Sequence, residues 1–123
     1  MKTTLETLVN SFQSIRKLST LDLGSPKTNF RFMGVVASAE TEIEKHSKLR
    51  KGILEKYGDK HNSDEYFIPN EKLDAFNKDI DELNAIEIDL DWDIIEIPIS
   101  SFQGFTAYDM KCINGKFINI KGD

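Results

Sequence analysis

Four carboxylates recur at every second position in the C-terminal half, and their type and spacing could support chemistry. They are Glu87, Asp89, Asp91 and Asp93. Clustered carboxylates can supply the oxygen ligands that Mg²⁺ and Ca²⁺ take. The run lacks the glycine and closing glutamate of a calcium loop, and alternate side chains of a strand point in parallel instead of converging on one ion. We therefore predict no metal. The four acids, with Trp92 among them, form either a solvated strand face or an acidic contact surface for a protein.

Catalytic chemistry is not recognisable in the rest of the sequence. His46 follows Glu42 by one helical turn, but no further metal-type ligand has a recognised spacing. The single cysteine, Cys112, has no basic or helix-start setting typical of a reactive thiol and is predicted to be buried. No phosphate-binding glycine loop and no nucleophile elbow occur. We predict a protein that is not an enzyme, with no catalytic residues and no cofactor.

Length and composition predict one domain, residues 1–123, outside any membrane. No apolar run approaches the 18 or so residues of a membrane helix. The first residues do not resemble a signal peptide, and a lone cysteine suits a reducing compartment. A cytoplasmic protein is expected. The net charge of −5 argues against general nucleic-acid binding, which depends largely on neutralising phosphates.

Charge is distributed unevenly along the chain. Residues 1–61 carry 11 Lys and Arg against 7 Asp and Glu, which gives +4. Residues 62–123 carry 5 against 14, which gives −9. Two interpretations remain open: the basic and acidic elements pack against each other, or the acidic end steers a partner towards the protein.

Helical periodicity and capping signals predict three helices in the first two-thirds of the chain. Thr3 and Glu6 have capping-box spacing before an apolar face that ends near Ser19. Ser25 followed by proline predicts the start of a second helix, which runs from Pro26 to Tyr57. Asn70 is the predicted N-cap of a third helix, which has a narrow apolar stripe and a charged outer face.

The remaining segments predict short strands and one more helix. Asp59–Glu65 is expected to be a loop, and residues 66–68 an edge strand or an anchor on the core. Alternation from residue 86 slips at Ile94–Ile95, which predicts either one bulged strand or two strands broken near residues 91–93. Capping-box spacing predicts a short helix at residues 107–113, before a strand at 116–121. The predicted class is α+β: three helices (one long), then a small antiparallel sheet and a short C-terminal helix.

The second helix is too long for a domain of this size. Its 32 residues would span about 48 Å, whereas a domain of 123 residues should be roughly 35 Å across. Either the helix kinks at Gly34 or Gly52, or one end projects and packs on a partner. Its apolar side packs either inside the monomer against the first helix or in a helix–helix interface with another chain. We predict a homo-oligomer formed partly through the end of this helix. The interface candidates are Leu49, Ile53, Leu54 and Tyr57.

Basic side chains along the same helix support a different function. An oligomer could capture a small, nucleotide-like anion with them, as a ligand-binding module. The candidates are Arg31, Lys45, Lys48, Arg50 and Lys51.

Six segments of the chain occur in a characteristic order: Ser25–Met33 (SPKTNFRFM), Ile53–Tyr57, Ile68–Leu73 (IPNEKL), Phe76–Leu83 (FNKDIDEL), Glu87–Leu90 and Thr106–Met110. In this order they resemble a family of small, functionally uncharacterised proteins of tailed phages and prophages. The resemblance covers roughly residues 25–113, and residues 91–93 depart from it. It implies a phage or prophage accessory protein in the cytoplasm of a bacterial host, and it carries over no functional residue. The function predicted first is therefore binding to a host or phage protein, as an inhibitor or an assembly factor.

Overall fold

Helices dominate the computed structural model, which describes residues 2–62, 65–90 and 94–122, with backbone only at residues 61 and 62. The described helices are α1 (Leu5–Leu18), α2 (Pro26–Tyr57), α3 (Asn70–Asn84) and α4 (Ala107–Ile113). The described strands are β1 (Lys2–Thr4), β2 (Asp59–Asn62), β3 (Glu65–Phe67), β4 (Glu87–Asp89), β5 (Ile95–Pro98) and β6 (Ile118–Lys121). The predicted α+β class, with one long helix and a short C-terminal helix, is confirmed.

Helix α1 begins one residue later than its capping pattern predicted. The N-cap is Thr4, whose hydroxyl oxygen accepts a hydrogen bond from the Thr7 amide at 3.2 Å. Thr3 lies within β1, opposite Ile88 of β4, and the strand continues to Thr4, directly before the helix. The helix then buries its apolar face, including Leu8, which is completely buried.

Helix α2 is one uninterrupted α-helix, so of the two alternatives the continuous one is observed. The Ser25 hydroxyl accepts a hydrogen bond from the Thr28 amide at 3.2 Å, and Pro26 occupies the first turn as predicted. The helix runs through Gly34 and Gly52 without a break and ends at Tyr57.

The length of α2 is accommodated because two different elements cover it. Its first half packs on α1 through Phe32, which is buried in the apolar cluster. Its second half lies against α3, which runs antiparallel to it. His46 contacts Asn84, the last residue of α3, and Tyr57, further along α2, contacts Asp79, which comes earlier in α3. Much of the predicted overhang is therefore packed within the chain.

A polar β-hairpin follows α2, and the predicted loop at Asp59–Glu65 is wrong. β2 and β3 pair antiparallel, with Asp59 opposite Phe67 and Lys60 opposite Tyr66. The hairpin shows no alternation because its described side chains are mostly exposed on both faces. Helix α3 then starts at Asn70 itself, with Pro69 in the N-cap position, so the predicted capping role of Asn70 is also wrong.

The slip in alternation at Ile94–Ile95 marks a change of partner strand. β4 ends at Asp89 and pairs antiparallel with β1, whereas β5 begins at Ile95 and pairs parallel with β6. The described chain therefore has two strands here, as one of the two interpretations held. Residues 91–93 lie outside the described residues.

The main apolar core lies around α1, the first half of α2, β5, α4 and β6. Its buried members are Leu8, Phe12, Ile15, Leu18, Leu23, Phe32, Val35, Ala39, Leu90, Ile95, Ile97, Cys112, Ile113, Phe117 and Ile118. The predicted burial of Cys112 is confirmed. Helix α3 buries Leu83 alone among its residues, so α3 and the hairpin form a thinner layer over the second half of α2.

A carboxylate ties α4 to α1. Asp109 forms the predicted capping box with Thr106, whose amide donates to it at 3.1 Å. The Ser14 hydroxyl and the Lys17 ammonium, both from α1, donate to the same carboxylate at 2.9 Å each. The Lys17 bond, followed by the Thr106 amide, holds the pKa of Asp109 well below its usual range.

Candidate binding surfaces

The first half of α2 presents an apolar stripe to solvent. Phe30 and Met33 are 77% and 67% exposed, the two largest values among the large apolar side chains that the structure describes. Gly34 and Ala37, which complete the helical spacing of three, four and seven residues, are also exposed. A Cβ atom added at Gly34 would meet nothing within 4 Å. We call Phe30, Met33, Gly34 and Ala37 the Phe30 stripe.

The orientation of this stripe is set by the opposite side of the helix. Phe32 and Val35 are 1% and 2% exposed and hold α2 to the core. The turn before the helix is tied to its first turn, because the Asn29 side chain accepts a hydrogen bond from the Leu23 amide at 2.8 Å. Gly24 adopts a φ of +107°, a conformation that glycine accommodates readily. The helix is thus fixed with Phe30 outward.

Positive charge borders the stripe. Lys27 and Arg31 are exposed on α2 within four residues of Phe30. Neither has an ion-pair partner within the described part of the chain. Beyond Ala37 the same face becomes polar through Thr41 and Glu44. The apolar part therefore covers about two helical turns, roughly 11 Å, with cations near its N-terminal end.

Phe30 and Met33 were not among the residues predicted from the sequence, although one feature of the sequence indicated them. Phe30 and Phe32 are two residues apart, so on a helix they point about 200° apart. Only one of them can face a core on a single side. The apolar spacing that includes Phe32 also includes Val36 and Ala39, which leaves Phe30 for the other side.

The four predicted interface residues at the end of α2 do not form one free face. Leu49 is 53% exposed, whereas Ile53 and Leu54 are half-buried. The Tyr57 hydroxyl donates to the Asp79 carboxylate at 2.7 Å, and its ring packs edge-on against a phenylalanine of α3 at 6.4 Å. Self-association stays a prediction, but α3 covers part of the surface that suggested it.

Only part of the predicted acidic surface is described. Glu87 and Asp89 are exposed on β4, two residues apart and thus on one side of the strand. Lys2 of β1 lies directly opposite Asp89, so a cation neighbours this acid across the strands. Asp91, Trp92 and Asp93 lie outside the described residues. The acids therefore remain contact candidates.

Two of the five predicted basic residues line one cleft. Arg50 and Lys51 of α2 face Lys60 and Tyr66 of the hairpin across a cavity of about 420 Å³. Arg31, Lys45 and Lys48 do not line it. We call this cavity, whose apolar wall includes Leu54, the basic cleft. Lys60 was not predicted from the sequence, because the segment that contains it was predicted to be a loop.

The buried histidine has a structural contact. His46 Nε2 lies 3.0 Å from the side-chain oxygen of Asn84, which joins α2 to α3.

Within residues 2–62, 65–90 and 94–122, no three His, Cys, Asp or Glu side chains are grouped to hold a metal ion. None of the described helices is long and apolar enough to cross a membrane. Neither a family model, nor a curated protein, nor a solved structure matches the chain.

Proposed function

We propose that this chain is a non-enzymatic binding protein that docks on another protein through the Phe30 stripe. The observation that supports this function is the exposure of Phe30 and Met33 on a helix whose other side is anchored in the core. Transfer of a phenylalanine side chain from water into an interface is worth about 2–3 kcal/mol. Aromatic side chains on rigid elements are typical interaction hot spots.

The partner that fits this surface is an amphipathic helix with acidic residues along one edge. Gly34 and Ala37 have little or no side chain, so a partner helix could approach α2 closely on the C-terminal side of Phe30 and Met33. Lys27 and Arg31 would attract carboxylates on the partner's edge. A helix laid into an apolar contact of this kind is a common recognition mode.

The resemblance to phage and prophage proteins supports a bacterial setting for this proposal. The partner would be a host or phage protein in the bacterial cytoplasm, and the bound chain would act as an inhibitor or an assembly factor. The acidic residues Glu87 and Asp89 are a second contact candidate on the same molecule.

In-cell photo-crosslinking tests the proposed surface. A benzophenone amino acid replaces Met33 in one variant, Leu73 in a second and Glu87 in a third. Leu73 is the matched control, because it is also an exposed apolar residue on a helix. We expect the Met33 position to crosslink one defined partner, and the Leu73 position to crosslink none.

Other crosslinking patterns would contradict this surface. A partner captured only from Glu87 would move the contact to the acidic strand. Crosslinks from Met33 only to a second copy of this chain would make the stripe a self-association surface and remove the proposed partner class.

A further inference from the structure

We infer that the basic cleft binds a small phosphorylated ligand of nucleotide type, separately from the proposed protein contact. Three cations from two elements converge there: Arg50 and Lys51 from α2, and Lys60 from β2. None of them has an ion-pair partner among the residues that the structure describes, whereas Lys17, Lys45 and Lys56 do.

A close backbone approach fixes the two walls of the cleft. A Cβ atom at Gly58 would lie 2.6 Å from the Leu54 carbonyl oxygen and 3.1 Å from Tyr66 Cβ. Only glycine therefore lets the hairpin fold back this tightly on the end of α2. Lys60 and Tyr66 are opposite each other in the hairpin, so both meet the helix at one level.

The charge of the cleft favours an anion. Among the residues that the structure describes, Glu55 is the one carboxylate that lines the cleft, and its oxygen accepts a long hydrogen bond of 3.4 Å from the Tyr66 hydroxyl. The described lining residues therefore carry a net charge of +2, in a chain whose net charge is −5. Like charges closer than the Debye length of about 8 Å repel, and a bound anion relieves that repulsion. Arginine and lysine are the side chains that bind phosphate most often, and the Ser47 hydroxyl adds a donor.

The size of the cleft and the chemistry of its walls indicate a ligand larger than inorganic phosphate. The volume of about 420 Å³ falls within the usual range for small-molecule sites. Leu54 and the ring of Tyr66 provide apolar surface beside the cations. A ligand with both a phosphate and a planar organic group would use both parts of the wall.

Calorimetric titration tests this site with adenosine diphosphate, inorganic pyrophosphate and adenosine at 0.15 M salt. We expect saturable binding of adenosine diphosphate and weaker binding of the other two. Lys60→Gln and Arg50→Gln should each raise the Kd about tenfold, since each removes one charge-assisted contact. Lys48→Gln is the matched control, an exposed lysine of α2 outside the cleft, and should change nothing. Far-UV circular dichroism checks that each variant is folded.

Three outcomes would overturn this inference. The absence of saturable adenosine diphosphate binding at millimolar concentration would show that the basic cleft is not a site for this ligand class. Equal affinity for pyrophosphate would show that the organic part of the ligand is not recognised. An equal loss of affinity in Lys48→Gln would show that binding depends on general surface charge. Phe30→Ser should bind adenosine diphosphate like the wild type, so this site and the proposed protein contact can fail separately.

Discussion

Replacement of Asp109 by asparagine should lower the free energy of unfolding by about 1 kcal/mol at pH 7. The carboxylate accepts hydrogen bonds from Lys17, Ser14 and the Thr106 amide. The Lys17 side chain is 42% exposed, so its ion pair is discounted for solvent to about 0.5 kcal/mol. Loss of the charge at the start of α4 removes a similar amount. The asparagine amide can still donate to the Ser14 hydroxyl and keep that contact.

Asp109→Ala should cost more, about 2–3 kcal/mol. Ser14 is buried, so its hydroxyl would lose its partner at a site with little water, and the capping box of Thr106 would also be lost. Urea unfolding followed by far-UV circular dichroism gives both values. Equal losses for the two variants would contradict the assigned role of the Ser14 contact.

The pH dependence gives an independent check of the Asp109 contacts. Because the pKa of Asp109 is lowered in the folded state, its stabilisation is fully present above the unfolded value of about 3.9. It is lost as the pH falls below that value towards the folded pKa. The difference in stability between wild type and Asp109→Asn should therefore be constant near pH 7 and shrink below about pH 4.5. A difference that stays constant down to pH 3 would refute the reasoning.

Three further predictions follow from packing and exposure. Phe32→Ala should lower the free energy of unfolding by about 3–5 kcal/mol because the ring is buried, whereas Phe30→Ala should change it by less than about 0.5 kcal/mol. Urea unfolding compares the two variants, and equal losses of stability would contradict the orientation of α2. Gly58→Ala should lower the free energy of unfolding by about 1–3 kcal/mol and weaken adenosine diphosphate binding, because the added Cβ would clash with a backbone oxygen. Unchanged stability in urea unfolding and unchanged affinity in calorimetric titration would contradict the close approach. Light scattering at tens of micromolar should show an oligomer that Leu49→Asp weakens without unfolding, and a monomeric wild type would remove the predicted self-association.

The starts of α2 and α4 were predictable because each has a local signal that tertiary packing does not override. Ser25 and Pro26 mark the start of α2, and the Thr106–Asp109 pair marks the start of α4, as the structure confirms. At the start of α1, either of two neighbouring threonines could be the N-cap, and the end of β1 determines which one is. Both threonines pair in β1, and the helix begins directly after Thr4, so Thr4 is the cap; spacing alone could not show where the strand ends.

The hairpin and the basic cleft were beyond prediction from local patterns. The hairpin's described side chains are mostly polar and exposed, so they carry no period-two signal. Lys60 lines one cavity with Arg50 because Gly58 lets the chain fold back on α2, which is a tertiary contact that no local pattern shows. The Phe30 stripe was predictable in part, since two phenylalanines two residues apart cannot share one helical face.

Calorimetric measurement of the affinity for the purified crosslinked partner tests the proposed protein contact most directly. Phe30→Ser should raise the Kd about 30-fold, which corresponds to about 2 kcal/mol, and Leu73→Ser should leave it unchanged. Added salt should weaken binding by the wild type more than binding by Lys27→Gln, because that cation borders the stripe. An unchanged Kd for a folded Phe30→Ser variant would contradict the proposed function of the stripe.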